Sequence, residues 1–206
     1  MPRKGEKRKQ QIINAAKIMF MDRGFQSTHI GQICEELNIA RGTVYQYFNN
    51  KKEILVALLD SVIEQIKDVL DQEDINDFLA KHKSPKEIEE FIRARVVSAL
   101  TVILNEPIVI KLTFKDIQGI DADIVAIVNK LVQRIKNIIA EEIKKWIELK
   151  VFRDNLNPNI TASMLIGGVM LLIYEYDKKN KDILGKETVS AIVDNYLNGS
   201  FKKHSN

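Results

Sequence analysis

Between Ile124 and Trp146 apolar side chains return every third or fourth position, at Ile124, Ile127, Leu131, Ile135, Ile138, Ile139, Ile143 and Trp146. That is the period of a helix with one buried stripe, and a strand, whose period is two, does not reproduce it. The same spacing occurs at Ile12, Ile13, Ala15, Ala16, Met19 and Phe20, and again at Ile54, Leu55, Leu58, Leu59, Val62, Ile66 and Val69. Only four prolines and nine glycines interrupt the 206 residues, so long helices can run unbroken. An all-α chain of about nine helices is expected, and 45% hydrophobic residues suffice for a real core.

The punctuation between the stripes sets the elements. Gly24 stops a first helix over 6–23, Thr28 can cap a second short one carrying Ile30, Ile33, Cys34 and Leu37, and Asn38 tolerates the left-handed turn that follows. A third short helix is expected from about Arg41 to Phe48. Two short helices joined by a tight turn and buttressed by a longer one outline a helix-turn-helix. From Lys51 a long connector leaves this unit. Ser84-Pro85-Lys86-Glu87 is a capping box with proline at the first helical position, opening a helix to about Leu104. Pro107 opens a piece to about Ile117, Asp121 precedes the long stripe, and Asn157-Pro158 restarts the chain. A helix apolar nearly all round over Met164 to Ile173 follows, and Gly185 separates it from a last one holding Val189, Ile192, Val193, Tyr196 and Leu197.

Charge divides the chain at the same place. Residues 1–52 hold ten Lys and Arg against four acids, a balance of +6, while the rest holds 21 bases and 24 acids, a balance of −3. A compact basic quarter is the footprint of a polyanion partner, nucleic acid being the commonest. Within it, Arg3-Lys4-Gly5-Glu6-Lys7-Arg8-Lys9 reads either as an arm for a minor groove or phosphate backbone, or as a disordered tail. The expected division is a DNA-binding unit at 1–50 and an effector and dimerisation unit at 51–206.

The run from Gly24 to Leu55 closely resembles the DNA-binding segment of the TetR family of bacterial transcriptional regulators. The likeness rests on Thr28-x-Ile30, Ile33-Cys34, Gly42-Thr43-Val44-Tyr45-x-Tyr47-Phe48 and Lys51-x-x-Ile54-Leu55. Two positions depart from the family pattern: Asn38 replaces the usual turn glycine, and Ala40 the usual serine, which removes a cap worth about 1 kcal/mol. The resemblance implies a homodimeric, ligand-responsive repressor, with Thr28, Tyr45, Tyr47 and Lys51 as backbone clamps. The residues point the same way. Small Gly42 and Thr43 let a helix approach a major groove, where Arg41, Thr43 and Gln46 would face base edges: Arg can bond guanine, Gln adenine, and the Thr methyl can meet a thymine methyl. Tyr47 and Phe48 also read as core, Val44 as core, and Cys34 as a buried small residue.

Signals for an enzyme are lacking. His29, His82 and His204 are far apart and outside metal-ligand spacing, so no metal or cofactor is expected. Glu89-Glu90 and Glu141-Glu142 read as solvated helix faces, and Gly167-Gly168 as a close approach between helices. No apolar run approaches a membrane span, and a single Cys fits a cytoplasmic, nucleoid-associated protein. One helix-turn-helix reads few base pairs, so a homodimer on a pseudo-palindromic double-stranded operator is expected, held by helices near 159–178 and 186–201. The effector pocket is expected among segments 51–74, 85–104, 107–117 and 124–149, with Phe91, Phe114 and Trp146 free to stack on a lipophilic small molecule. An architectural or cell-division DNA binder of the same fold, without an effector, is the alternative.

Overall fold

The computed structural model describes residues 4–82, 84–106, 108, 122–178 and 186–200. Among them lie nine helices: α1 Lys4–Arg23, α2 Ile30–Glu36, α3 Arg41–Tyr45, α4 Lys51–Leu70, α5 Ile75–Lys81, α6 Pro85–Leu104, α7 Ala122–Glu148, α8 Pro158–Lys178 and α9 Lys186–Ser200. The all-α expectation holds. Apart from Ile108, the expected helix at 107–117 lies outside the described residues, as do Phe114, Asp121 and Gly185.

Two compact units emerge. Among the described residues, the first holds the chain to Val62 together with Ile108 and residues 122–128, and the second holds those of Ile63–Glu106 and those from Asn129 onward. About three turns of α4 therefore belong with α1–α3, where the sequence placed the division at residue 50.

In the first unit Ile12, Ala16, Phe20, Ile33, Val44, Ile54 and Leu55 are fully buried, one stripe from each of α1 to α4. Each buried Ile or Leu contributes about 1.5–3 kcal/mol, so this core outweighs the missing cap at Ala40, which indeed makes no side-chain cap bond. Gly24 takes φ +84° and ends α1, and Asn38 takes φ 49° in the turn between α2 and α3, as their residue types predict. Three local expectations fail. Lys4 to Lys9 are the opening turns of α1, not a disordered tail. The cap of α2 is His29, whose N–H donates to Gln32 Oε1 at 2.8 Å, not Thr28. And α3 ends at Tyr45, with residues to Phe48 continuing only as a turn, closed by Phe48 N–H donating to the Val44 carbonyl at 3.0 Å.

In the second unit the capping box of α6 forms, with Ser84 N–H donating to Glu87 Oε2 at 3.3 Å. Helix α5 was not expected. Asp74 caps it, accepting from the N–H groups of Asn76 and Asp77, which hold the carboxyl below its ordinary range. Arg93 on α6 ties to Asp194 on α9 at 2.6 Å. An aromatic chain runs through the core: Phe78 stacks on His82 and on Phe91 (3.9 Å between ring centres), Phe91 meets Trp146 edge-on, and Phe152 links Trp146 to Tyr196.

Candidate functional site

The exposed face of α3 follows from its register. Val44 and Phe48 point inward, so positions 41, 42, 45 and 46 share the opposite face, and Arg41, Gly42, Tyr45 and Gln46 are all exposed, Tyr45 by 52%. Thr43 and Tyr47 flank that stripe and are half-buried. A side chain added at Gly42 would meet nothing within 4 Å, so the backbone is open to a close-fitting partner there. The Tyr47 hydroxyl reaches α1, 3.6 Å from where a Cβ would sit on Gly5, and Lys9 Nζ lies 5.7 Å from the centre of the Phe48 ring. The Arg41 guanidinium folds back over α2, so that a Cβ on Gly31 would stand 2.9 Å from Nη2.

Two residues expected to hold phosphates face elsewhere. Thr28 is fully buried, and its hydroxyl donates to the Gly24 carbonyl at 2.9 Å. Lys51, at the start of α4, donates from Nζ to the carbonyls of Phe25, Gln26 and Thr28 at 2.8, 2.9 and 3.0 Å, with the ammonium 4.6 Å from the centre of the Phe25 ring. An ammonium has three donors, and three carbonyls of the α1–α2 loop take them. Both residues build the loop on which α2 and α3 are hung. Glu53 seals the same corner, accepting from Asn49 N–H at 2.9 Å and from its side chain, contacts that lower its carboxyl's pKa.

The second unit encloses a cavity of about 70 Å³. Its walls are Ile66 and Leu70 of α4, Ile92, Val96, Ala99, Leu100 and Ile103 of α6, Ile135 and Ile139 of α7, and also Leu165 of α8 and Tyr196 of α9, two helices the sequence assigned to dimerisation alone. Phe91 is not in the lining, because Phe78 occupies its face. Polar groups gather at the Trp146 end. Arg95, 8% exposed, donates from Nε to Glu142 Oε1 at 2.8 Å and from Nη1 to the Glu73 carbonyl at 3.1 Å, and the Trp146 indole N–H donates to the same Glu142 oxygen at 3.3 Å. Glu142 is thus not the solvated acid its neighbours suggest. Burial, and then the Glu142 charge, push the Tyr196 hydroxyl's pKa up, so it stays protonated.

Outside this cavity, α8 exposes Ile160 (59%), Met164 (72%), Gly167, Gly168 and Leu171 (57%) at helical spacing. A groove of about 390 Å³ between α8 and α9 is lined by Met164, Gly168, Ile192 and Gly199, and it shares Leu165 and Tyr196 with the inner cavity. Among the described residues no helix is long and apolar enough to cross a membrane, and no group of three His, Cys, Asp or Glu could hold a metal ion.

The family model of bacterial regulatory proteins, tetR family, matches residues 12–58, which span α1, α2, α3 and the start of α4. An uncharacterised HTH-type transcriptional regulator of Bacillus subtilis, YhgD, is 26% identical over 92% of this chain and 94% of its own. Among solved structures, the fatty acid degradation regulator FadR from Bacillus halodurans superposes with a TM-score of 0.70 at 20% identity, covering 93% of this chain and 95% of that one. A SmeT–triclosan complex does so at 0.70 and 16% identity, covering 95% and 92%. The helix-turn-helix, the fold that surrounds it and these relatives agree: residues 12–58 match the DNA-binding segment of tetR-family bacterial regulatory proteins, and the chain as a whole has the fold of the regulators it resembles.

Proposed function

We propose that this regulator is a homodimeric repressor that grips a pseudo-palindromic operator through α3 and releases it when a lipophilic small molecule enters the second unit. The observation that carries the DNA reading is the exposed stripe Arg41, Gly42, Tyr45 and Gln46 on a short helix whose other face is core. Arg41, Thr43 and Gln46 are assigned to base edges, and Tyr45 and Tyr47 to phosphates. Thr28 and Lys51 act by fixing the loop before α2. The basic charge of residues 1–52 supplies the sequence-independent attraction.

The dimer is supported by the apolar stripe of α8, an exposed face that a second copy would cover through α8 and α9. Release is supported by the apolar cavity and by the continuity of α4, one helix that contributes Ile54 and Leu55 to the DNA-binding core and Ile66 and Leu70 to the cavity wall. One neighbour is named as a fatty acid degradation regulator and another as a complex with triclosan, both in keeping with a lipophilic effector. The cytoplasm is the compartment such a protein occupies.

Selection of bound duplexes from a random pool tests this. The enriched sequences should contain an inverted repeat whose half-site centres lie one helical turn or a multiple apart. Enrichment of a single unpaired half-site overturns the dimeric operator reading, and no enrichment over input overturns sequence-specific binding.

A further inference from the structure

The cavity of the second unit carries one charged pair in a wall that is otherwise aliphatic apart from Trp146 and Tyr196, and that pair restricts what can enter. Arg95 and Glu142 neutralise one another at 2.8 Å, and the Trp146 indole N–H is spent on the same Glu142 oxygen. An anion brought to this end meets the Glu142 carboxylate, and a cation meets the Arg95 guanidinium. Either leaves a net charge in a site walled by Leu and Ile side chains, where desolvating an unpaired ion is expensive. The two protein donors that reach Glu142, from Arg95 and Trp146, both fall on Oε1, and the side chain, in the cavity wall and 16% exposed, leaves Oε2 to a donor from outside the protein. A carboxylate oxygen accepts and never donates, so a ligand that meets it must bring a donor.

Resting on the reading that this cavity holds the effector, we propose that the effector is an uncharged lipophile with a single hydroxyl group, which donates to Oε2 of Glu142 while its apolar body lies along α6 and α7. The cavity of about 70 Å³ is roughly half the size of the ~150 Å³ space that admits benzene, so such a ligand opens it by moving side chains. Leu165 and Tyr196 are the walls with room behind them, since the outer groove lies on their far side.

Trp146 is the only tryptophan of the chain and lies in the cavity wall, so its fluorescence reports occupancy. Full-length dimer is titrated with 1-octanol, octanoate and octylammonium at neutral pH, following Trp146 emission and the melting temperature. The alcohol should bind at least tenfold tighter than either ion. In Glu142→Gln, which leaves the Arg95 charge unbalanced, octanoate should overtake octanol, with folding checked by circular dichroism. Octanoate or octylammonium matching octanol on the unaltered protein overturns the uncharged class but leaves a lipophilic effector standing. No response to any of the three overturns the effector reading itself. A Glu142→Gln variant that folds but keeps the original order of affinities removes Glu142 from ligand selection and overturns the proposal.

Discussion

Lys51 Nζ and the Phe25 carbonyl oxygen stand 2.8 Å apart, joining the first residue of α4 to the loop that follows α1. The bond closes 26 residues of chain, including the whole of α2 and α3, into one braced corner. Lys51→Met keeps much of the aliphatic stem and removes every donor. Leaving three carbonyls without this partner should cost about 1–3 kcal/mol and lower the melting temperature by several degrees. The slope of DNA affinity against salt should barely change, whereas a lost phosphate contact would reduce it by about one per protomer with little change in melting.

Gly31 and Arg41 should behave as a coupled pair. A methyl group on Gly31 would stand 2.9 Å from the Arg41 guanidinium, which must then leave its place on α2. Gly31→Ala should not reduce stability, because alanine is the better helix former, yet it should change operator affinity at least twofold. Combining it with Arg41→Ala should give less than the sum of the separate effects. Strict additivity in binding titrations would show that the pose of Arg41 over α2 is irrelevant to DNA.

Gln46 tests the docking of α3. Gln46→Ala should cost about 1–3 kcal/mol on the selected operator, relax preference at one position in each half-site, and leave affinity for scrambled duplex nearly unchanged. An equal loss on every sequence would place Gln46 at the backbone.

Gly168 faces open space on α8, so a longer side chain there does not disturb the protomer. Gly168→Glu should leave helicity and monomer folding intact while shifting sedimentation from dimer to monomer at micromolar concentration and weakening binding to a two-half-site operator. An unchanged dimer would move the interface elsewhere.

Asp74 supplies a pH test. Its carboxyl is held below the ordinary range by the N–H groups of Asp77 and Asn76, so it stabilises the folded state at neutral pH and that contribution fades as pH falls below about 4. Asp74→Ala should melt earlier than the parent at pH 7, with the difference shrinking toward pH 3. A constant difference would mean the cap bonds ignore the charge.

The parts legible in the sequence were those decided within one turn of chain. Gly24, Asn38 and the Ser84 to Glu87 box each act on neighbours three or four residues away, and each formed as its residue type requires. The parts that were not legible depend on distant partners. Glu142 looked solvated because Lys144 and Lys145 are near it in sequence, but its true partner, Arg95, is 47 residues away. Lys51 looked like a phosphate ligand because nothing local revealed carbonyls 23 to 26 residues upstream. Helix α5 is only seven residues long and buries Ile75 and Phe78 alone, too little for a period to show.

Leu165 and Tyr196 each have one side toward the inner cavity and the other toward the groove between α8 and α9. A guest that swells the cavity at their expense therefore reshapes the surface that a second protomer would cover. Thermodynamic reciprocity then fixes the outcome: whatever factor the guest imposes on self-association, self-association imposes on the guest. The regulator's sensitivity to its effector would accordingly depend on how many copies of it the cell holds.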